Sequence, residues 1–218
     1  MSELILVLGD SHARVFGSSK MRDAFPSHIF DVVSIGGVTV SGLDNPNAKT
    51  KGIWTFIHAV ESTDAKTIIT LLGEVDVGFV IWYRANKYHA PVSQMLRKAL
   101  NNYQQFLMDI AETDKNVICV SAPLPTLNEK SIGEVSNQRK AISASQEDRT
   151  TLTLKFNRKM HEFCNQSGID YIDLDDESIG DNGVIDDRLL SKVATDHHYN
   201  VEAYAEMLAP KLKQVLHA

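Results

Sequence analysis

Short apolar runs recur along the 218 residues with helix-like stretches between them, and this alternation constrains the fold more than any other feature. Leu4–Leu8, Ile29–Ile35, Thr67–Leu72 and Asn116–Val120 are rich in Val, Ile or Leu, and a fifth run, Asp170–Leu174, is more polar. Runs that are apolar nearly throughout fit parallel strands covered on both faces. Between them, Ile53–Val60 carries a helical stripe at Ile53, Phe56, Ile57 and Val60. Val92–Ile110 and Glu147–Asn165 show longer stripes of the same period, and Val201–Val215 closes the chain with Pro210 inside it, which predicts a kink or a stop. Strands alternating with helices imply right-handed crossovers and a three-layer α/β/α sandwich around a five-stranded parallel sheet. No repeat, low-complexity tract or linker divides the chain, so residues 1–218 are expected to form one domain. The polar stretch 127–145 is expected to be a mobile excursion.

Composition narrows the function. A net charge of -6 argues against a nucleic-acid partner, which calls for a basic face. Arg139-Lys140 and Arg149, Lys155, Arg158 and Lys159 are basic clusters in an otherwise acidic chain and read as a solvated helix face. The two cysteines, Cys119 and Cys164, form no Cys-x-x-Cys pair, and Cys119 reads as a core thiol. The apolar start is five residues without a basic flank or a small-residue cleavage site, and no stretch reaches the roughly 20 apolar residues of a membrane span. A cytoplasmic location is the expectation.

In open parallel sheets ligands bind beyond the carboxyl ends of the strands, so the residues that follow each run matter most. After the first comes Gly9-Asp10-Ser11-His12, which offers a serine hydroxyl and helix N–H groups at one spot. Ser11 could equally cap a helix starting near Ala13. After the second comes Gly36-Gly37, which lets backbone N–H groups approach a ligand or simply turns the chain. After the third comes Gly73-Glu74-Val75-Asp76, two carboxylates that read either as site residues or as a solvated loop. Before the last helix comes Asp196-His197-His198, where a histidine can take a serine proton and a carboxylate can hold its tautomer.

These blocks, in this order, resemble the SGNH (GDSL-like) hydrolases across nearly the whole chain. The resemblance implies a flavodoxin-like sheet and a nucleophilic Ser11 with His198 as base and Asp196 as its orienting carboxylate. The amides of Ser11 and of Gly36 or Gly37 would line the oxyanion hole. Asp10, His12, Glu74, Asp76, Arg84 and His197 would contact substrate. The implied substrate is a small acylated molecule, and neither cofactor nor metal is called for. Two positions depart from the family pattern. Val75 stands where the family has an asparagine oxyanion donor, with Arg84 and Asn86 as nearby replacements. Asp196 lies two residues before His198, where the family spacing is three. A looser resemblance, carried by Gly-Asp-Ser-His-Ala-Arg-Val-Phe and by Gly-Glu-Val-Asp with Trp-Tyr-Arg shortly after, points to SGNH-like proteins of bacterial surface polysaccharide biosynthesis and an acylated sugar or its precursor.

Two other readings stay open. With valine at position 75, the chain could be a binding protein that holds a sugar against Trp82, Tyr83 and Arg84 without cleaving it. Asp-His-His also resembles the triplet of manganese-dependent phosphoesterases, although here it lies late in the chain and leaves no room for that family's second domain. A dinucleotide fold is unsupported, because Gly36-Gly37 is not Gly-x-Gly-x-x-Gly.

Overall fold

A computed structural model describes residues 2–45, 47–128, 131, 142–193 and 195–216. Five parallel strands form one sheet: β1 (Glu3–Gly9), β2 (His28–Ser34), β3 (Thr67–Leu71), β4 (Asn116–Val120) and β5 (Asp170–Ile172), in the order β2-β1-β3-β4-β5. Among the described residues the helices are α1 (Ser19–Ala24), α2 (Gly52–Ser62), α3 (Ile81–Lys87), α4 (Val92–Ala111), α5 (Gln146–Ser167), α6 (Asp175–Ser178) and α7 (Val201–Leu216).

The inner strands β1, β3 and β4 are nearly apolar throughout because both faces of the sheet are covered there, while the edge strand β2 exposes Ile29 and Asp31. On β1, Leu6 and Leu8 join a core with Phe56 of α2, Leu100 and Tyr103 of α4 and Phe156 of α5. Ile5 and Val7 point the other way, into a second core with Phe16, Met21 of α1, and Tyr204, Leu208 and Leu212 of α7. The period-2 alternation of a strand feeds both layers from one sequence. Both cysteines are buried and free.

The strand limits match the sequence expectation closely, with one physical exception. The fifth run stops pairing at Ile172 because the Leu174 N–H bonds the Ser121 hydroxyl instead, at 3.1 Å. Pro210 does not end α7, which continues to Leu216. Proline lacks the N–H that would reach the Glu206 carbonyl, but Leu208, Ala209 and Leu212 around it are buried, and that packing holds the helix. Most of the 127–145 stretch, including Arg139-Lys140, lies outside the described residues. No described helix is long and apolar enough to cross a membrane.

In the order 2-1-3-4-5 the crossovers change direction between β1 and β3, and the crevice outside those two carboxyl ends is the expected ligand position. Two glycines shape its rim. A Cβ on Gly9, the last residue of β1, would lie 2.5 Å from both the Leu71 carbonyl oxygen and the Ala13 Cβ. Gly73, just after β3, has φ +119, and its Cβ would lie 2.7 Å from the Phe156 ring. By contrast, a Cβ on Gly36 meets nothing within 4 Å. Gly9→Ala is therefore expected to cost about 2–3 kcal/mol in urea unfolding, the usual cost of overpacking, while Gly36→Ala stays within about 0.5 kcal/mol. Equal stability of the two variants would contradict the close approach at Gly9.

Candidate active site

The chain leaves β1 through a sharp turn into a 3-10 helix, Ser11–Gly17. Its cap is Asp10 rather than Ser11. The Asp10 Oδ1 accepts the His12 N–H at 2.9 Å and faces the His12 Nδ1 at 3.0 Å. The Ser11 hydroxyl is thus left out of the capping and is partly exposed at the strand end.

The loop before α7 reaches the same place from the other end of the chain. His198 Nε2 lies 2.7 Å from Ser11 Oγ, and His198 Nδ1 lies 2.6 Å from Asp196 Oδ1. The same Asp196 oxygen accepts the His198 backbone N–H at 3.0 Å. With Nδ1–H directed at the carboxylate, Nε2 is the acceptor for the Ser11 hydroxyl. The two-residue spacing explains the departure from the family pattern: Asp196 folds back in a local turn and serves backbone and ring of His198 together. Asp10-Ser11-His12 repeats that Asp-x-His turn, with a longer ring contact of 3.0 Å.

Several contacts hold this loop. Thr126 Oγ1 donates to the His197 carbonyl at 2.7 Å, and the Leu124 N–H donates to the Tyr199 hydroxyl at 2.6 Å. Asn200 Oδ1 accepts the Glu202 and Ala203 N–H groups at 3.1 Å and caps α7. The His197 and His198 rings are 4.1 Å apart, and the His12 ring is 4.8 Å from that of His198. Partial burial by itself would raise the Asp196 carboxyl. The His198 backbone and ring N–H groups and the Ser191 side chain outweigh it and hold Asp196 below the usual carboxylate range.

Gly36 and Gly37 are exposed, and Gly37 has φ +72. Their loop is tied to the Ser11 turn, since the Ile35 N–H bonds the Gly9 carbonyl at 2.9 Å and the Ser34 hydroxyl bonds the Asp10 carbonyl at 2.8 Å.

Three other residues that the sequence offers as substrate contacts, Asp10, Glu74 and Asp76, are buried. Asp76 is fully buried, and its carboxylate accepts the Val40 N–H at 2.7 Å, the Ser41 N–H at 3.0 Å and the Ser41 hydroxyl at 2.5 Å. It is neither a solvated loop residue nor a substrate contact, but a clamp on the loop after β2. Arg84 supports the same loop by donating to the Ser41 carbonyl at 3.2 Å. Asp10 is fully buried as cap and ring partner, and Glu74 is 2% exposed. His12 is buried as well, yet its ring borders the pocket beside Ser11. The Val75 side chain offers no donor, and Asn86 stands exposed on α3. Trp82 Nε1 is engaged by the Val77 carbonyl at 2.8 Å, while Tyr83 is exposed and stacks on Phe79. Sequence reasoning missed the pocket wall made by Arg14, Val15, Val201 and Tyr204. Their one sequence signal is adjacency to the two Asp-x-His segments.

Asp196, His197 and His198 each present a ligand-type atom, all within 4.8 Å of one another.

No family model and no curated protein matches the sequence. Solved structures do match, and the chain has the fold of SGNH- and GDSL-type hydrolases. A GDSL-like lipase from Bacteroides thetaiotaomicron aligns with 99% of this chain and 88% of its own, at TM-score 0.64 and 13% identity. Est24, a carbohydrate acetylesterase from Sinorhizobium meliloti, aligns with 98% of this chain and 100% of its own, at TM-score 0.65 and 11% identity. The acetyl xylan esterase AlAXEase aligns with 98% and 99%, at TM-score 0.61 and 12% identity.

Burial pushes the Asp76 carboxyl up to about 6, against the hydrogen bonds from Ser41 and Val40 and the field of Arg84, which pull it down. A carboxyl whose pKa is higher folded than unfolded binds its proton more tightly in the folded chain. It favours folding at low pH and loses that contribution as pH rises from the unfolded value of 3.8 through about 6. Between about pH 4 and pH 7, wild type is expected to lose about 2–3 kcal/mol relative to Asp76→Asn, with a slope of at most about 1.4 kcal/mol per pH unit. Chemical unfolding of both proteins across that range checks this. A difference that does not vary with pH would mean Asp76 stays ionised throughout.

Proposed function

We propose that the protein is a serine ester hydrolase, or an acyl transferase of the same chemistry, with Ser11 as nucleophile, His198 as base and Asp196 as its orienting carboxylate. The observation that carries the reading is the continuous chain from Ser11 Oγ through both ring nitrogens of His198 to Asp196, at 2.7 and 2.6 Å.

Ser11 Oγ attacks the ester carbonyl carbon and its proton passes to His198 Nε2. The tetrahedral intermediate places its oxyanion against backbone amides, for which those of Ser11 and of Gly36 or Gly37 are the candidates. The bond from carbon to the alkoxy oxygen then breaks, and Nε2 returns the proton to the leaving alcohol. Water, or a second hydroxyl in a transfer reaction, repeats these steps in reverse on the acyl-serine. Asp196 holds the ring in the Nδ1–H tautomer and stabilises the imidazolium. With Val75 in place of a side-chain donor, turnover is expected to sit about 10²- to 10³-fold below that of an enzyme with a complete oxyanion hole.

A carbohydrate-linked ester fits the names of two similar structures, a carbohydrate acetylesterase and an acetyl xylan esterase. A metal-dependent reading draws on the clustered donors of Asp196, His197 and His198. It would have to take His198 away from Ser11 and Asp196, so the serine reading accounts for more of the observed bonds. A binding role without catalysis rests on Val75 alone.

Intact-mass spectrometry after incubation with a fluorophosphonate is expected to show one adduct on wild type and none on Ser11→Ala. The melting temperature of Ser11→Ala should stay near that of wild type, because Asp10 caps the helix. With a short-chain ester, His198→Ala should lose roughly 10⁴-fold or more in turnover and far more than His197→Ala. Activity should survive exhaustive chelation. A chelator-sensitive activity that Ser11→Ala retains would establish the metal reading instead.

A further inference from the structure

Asp196 is exposed and His197 and His198 are half-buried, so solvent ions reach all three. Each offers one ligand-type atom to a group that spans at most 4.8 Å, and the two rings are 4.1 Å apart. Two imidazoles and a carboxylate, with the remaining position open to water, form a donor set for zinc-class ions, whereas magnesium prefers oxygen ligands alone. A tetrahedral zinc ion bonds nitrogen and oxygen at about 2.0–2.2 Å, which sets its donors roughly 3.4 Å apart. The widest pair here has to close by roughly 1.4 Å, which side-chain rotation supplies. The backbone that carries the donors is anchored on both sides. Thr126 Oγ1 donates to the His197 carbonyl at 2.7 Å, and the Asn200 N–H donates to the Leu189 carbonyl at 2.7 Å. An anchored loop has little conformational freedom left to lose when an ion ties its side chains together.

An ion in this position is incompatible with the bonds that His198 makes. Its Nε2 faces Ser11 Oγ at 2.7 Å and its Nδ1 faces Asp196 at 2.6 Å. Imidazole binds an ion through a lone pair, and the neutral ring has one unprotonated nitrogen. An ion on Nε2 takes the lone pair that would accept the Ser11 proton. An ion on Nδ1 moves the ring proton to Nε2, which then faces Ser11 as a donor and accepts nothing. Coordination by either nitrogen therefore excludes action as a base. Asp196, once a ligand, also ceases to orient the ring.

We infer that Asp196, His197 and His198 form an inhibitory site for a divalent ion of the zinc class, which silences Ser11 by occupying His198. His197 is used by no step of the proposed ester cleavage and serves here as the third donor. The effect on Ser11 rests on the proposed esterase reading, while the metal site does not.

Calorimetric titration of wild type with zinc chloride is expected to show one equivalent bound with micromolar affinity, and magnesium chloride should not bind. His197→Ala and the isosteric Asp196→Asn should each weaken zinc binding at least tenfold. In parallel, the rate of fluorophosphonate labelling is measured with and without zinc. Saturating zinc should slow labelling of wild type at least tenfold, and a chelator should restore it. In His197→Ala, compared with its own zinc-free rate, the zinc concentration that halves labelling should rise at least tenfold. Zinc binding unchanged by both substitutions, no binding up to millimolar concentration, equal binding of magnesium, or labelling untouched by saturating zinc would each overturn the inference. The esterase reading fails separately. Without labelling of zinc-free wild type that reading falls, while zinc binding that depends on Asp196 and His197 still supports the metal site. Labelling that zinc leaves unchanged removes the inhibitory site and leaves the esterase reading standing.

Discussion

Asp10 is a buried carboxylate at the carboxyl end of β1, and the arrangement of the site depends on the bonds that its Oδ1 accepts. Its Oδ1 takes the backbone and ring N–H groups of His12 at once, which fixes the first turn of the helix that follows. Because Asp10 does the capping, the Ser11 hydroxyl is free to face His198. The cramped environment of Gly9 keeps this turn tight against β3, and so puts Ser11 over the crevice where the sheet changes direction.

The other half of the site depends on a second buried carboxylate. Asp76 gathers the Val40 and Ser41 N–H groups and the Ser41 hydroxyl, and Arg84 ties down the Ser41 carbonyl. The loop after β2, which carries Gly36 and Gly37, is thereby anchored on both sides: to the β1 turn through Ile35 and Ser34, and to the β3 side through Asp76. Rigid placement of backbone donors matters to a serine hydrolase, since preorganised amides do not have to reorient as charge develops. The same burial that makes this anchor rigid raises the Asp76 pKa.

Much of this is legible in the sequence. Runs of five to seven residues, most of them apolar and separated by stripes of helical period, give the sheet and its two layers, because burial on both faces leaves the inner parallel strands little other pattern. The glycine, serine and histidine blocks can be placed because ligands gather at strand ends. What escapes are the roles set by tertiary hydrogen bonding. Nothing local marks Asp76 as a clamp on residues 40 and 41 rather than a substrate contact, since its partners lie over thirty positions away. Asp10 and Ser11 compete for the same cap, and only the turn geometry decides between them. The two-residue spacing of Asp196 and His198 departs from the family pattern, yet the Asp-x-His turn makes it workable and occurs a second time at Asp10 and His12. Pro210 reads as a kink or a stop until the burial of its neighbours is known.

The central claim is that Ser11 carries the acyl group. It can be tested by mixing the protein with a short-chain ester, quenching within the first turnovers in acid and mapping the acyl mass by peptide fragmentation. The account predicts acylation of Ser11 in wild type and its loss in His198→Ala. Turnover of the ester with no acyl group on Ser11 at any quench time, or with the acyl group on another residue, would contradict it.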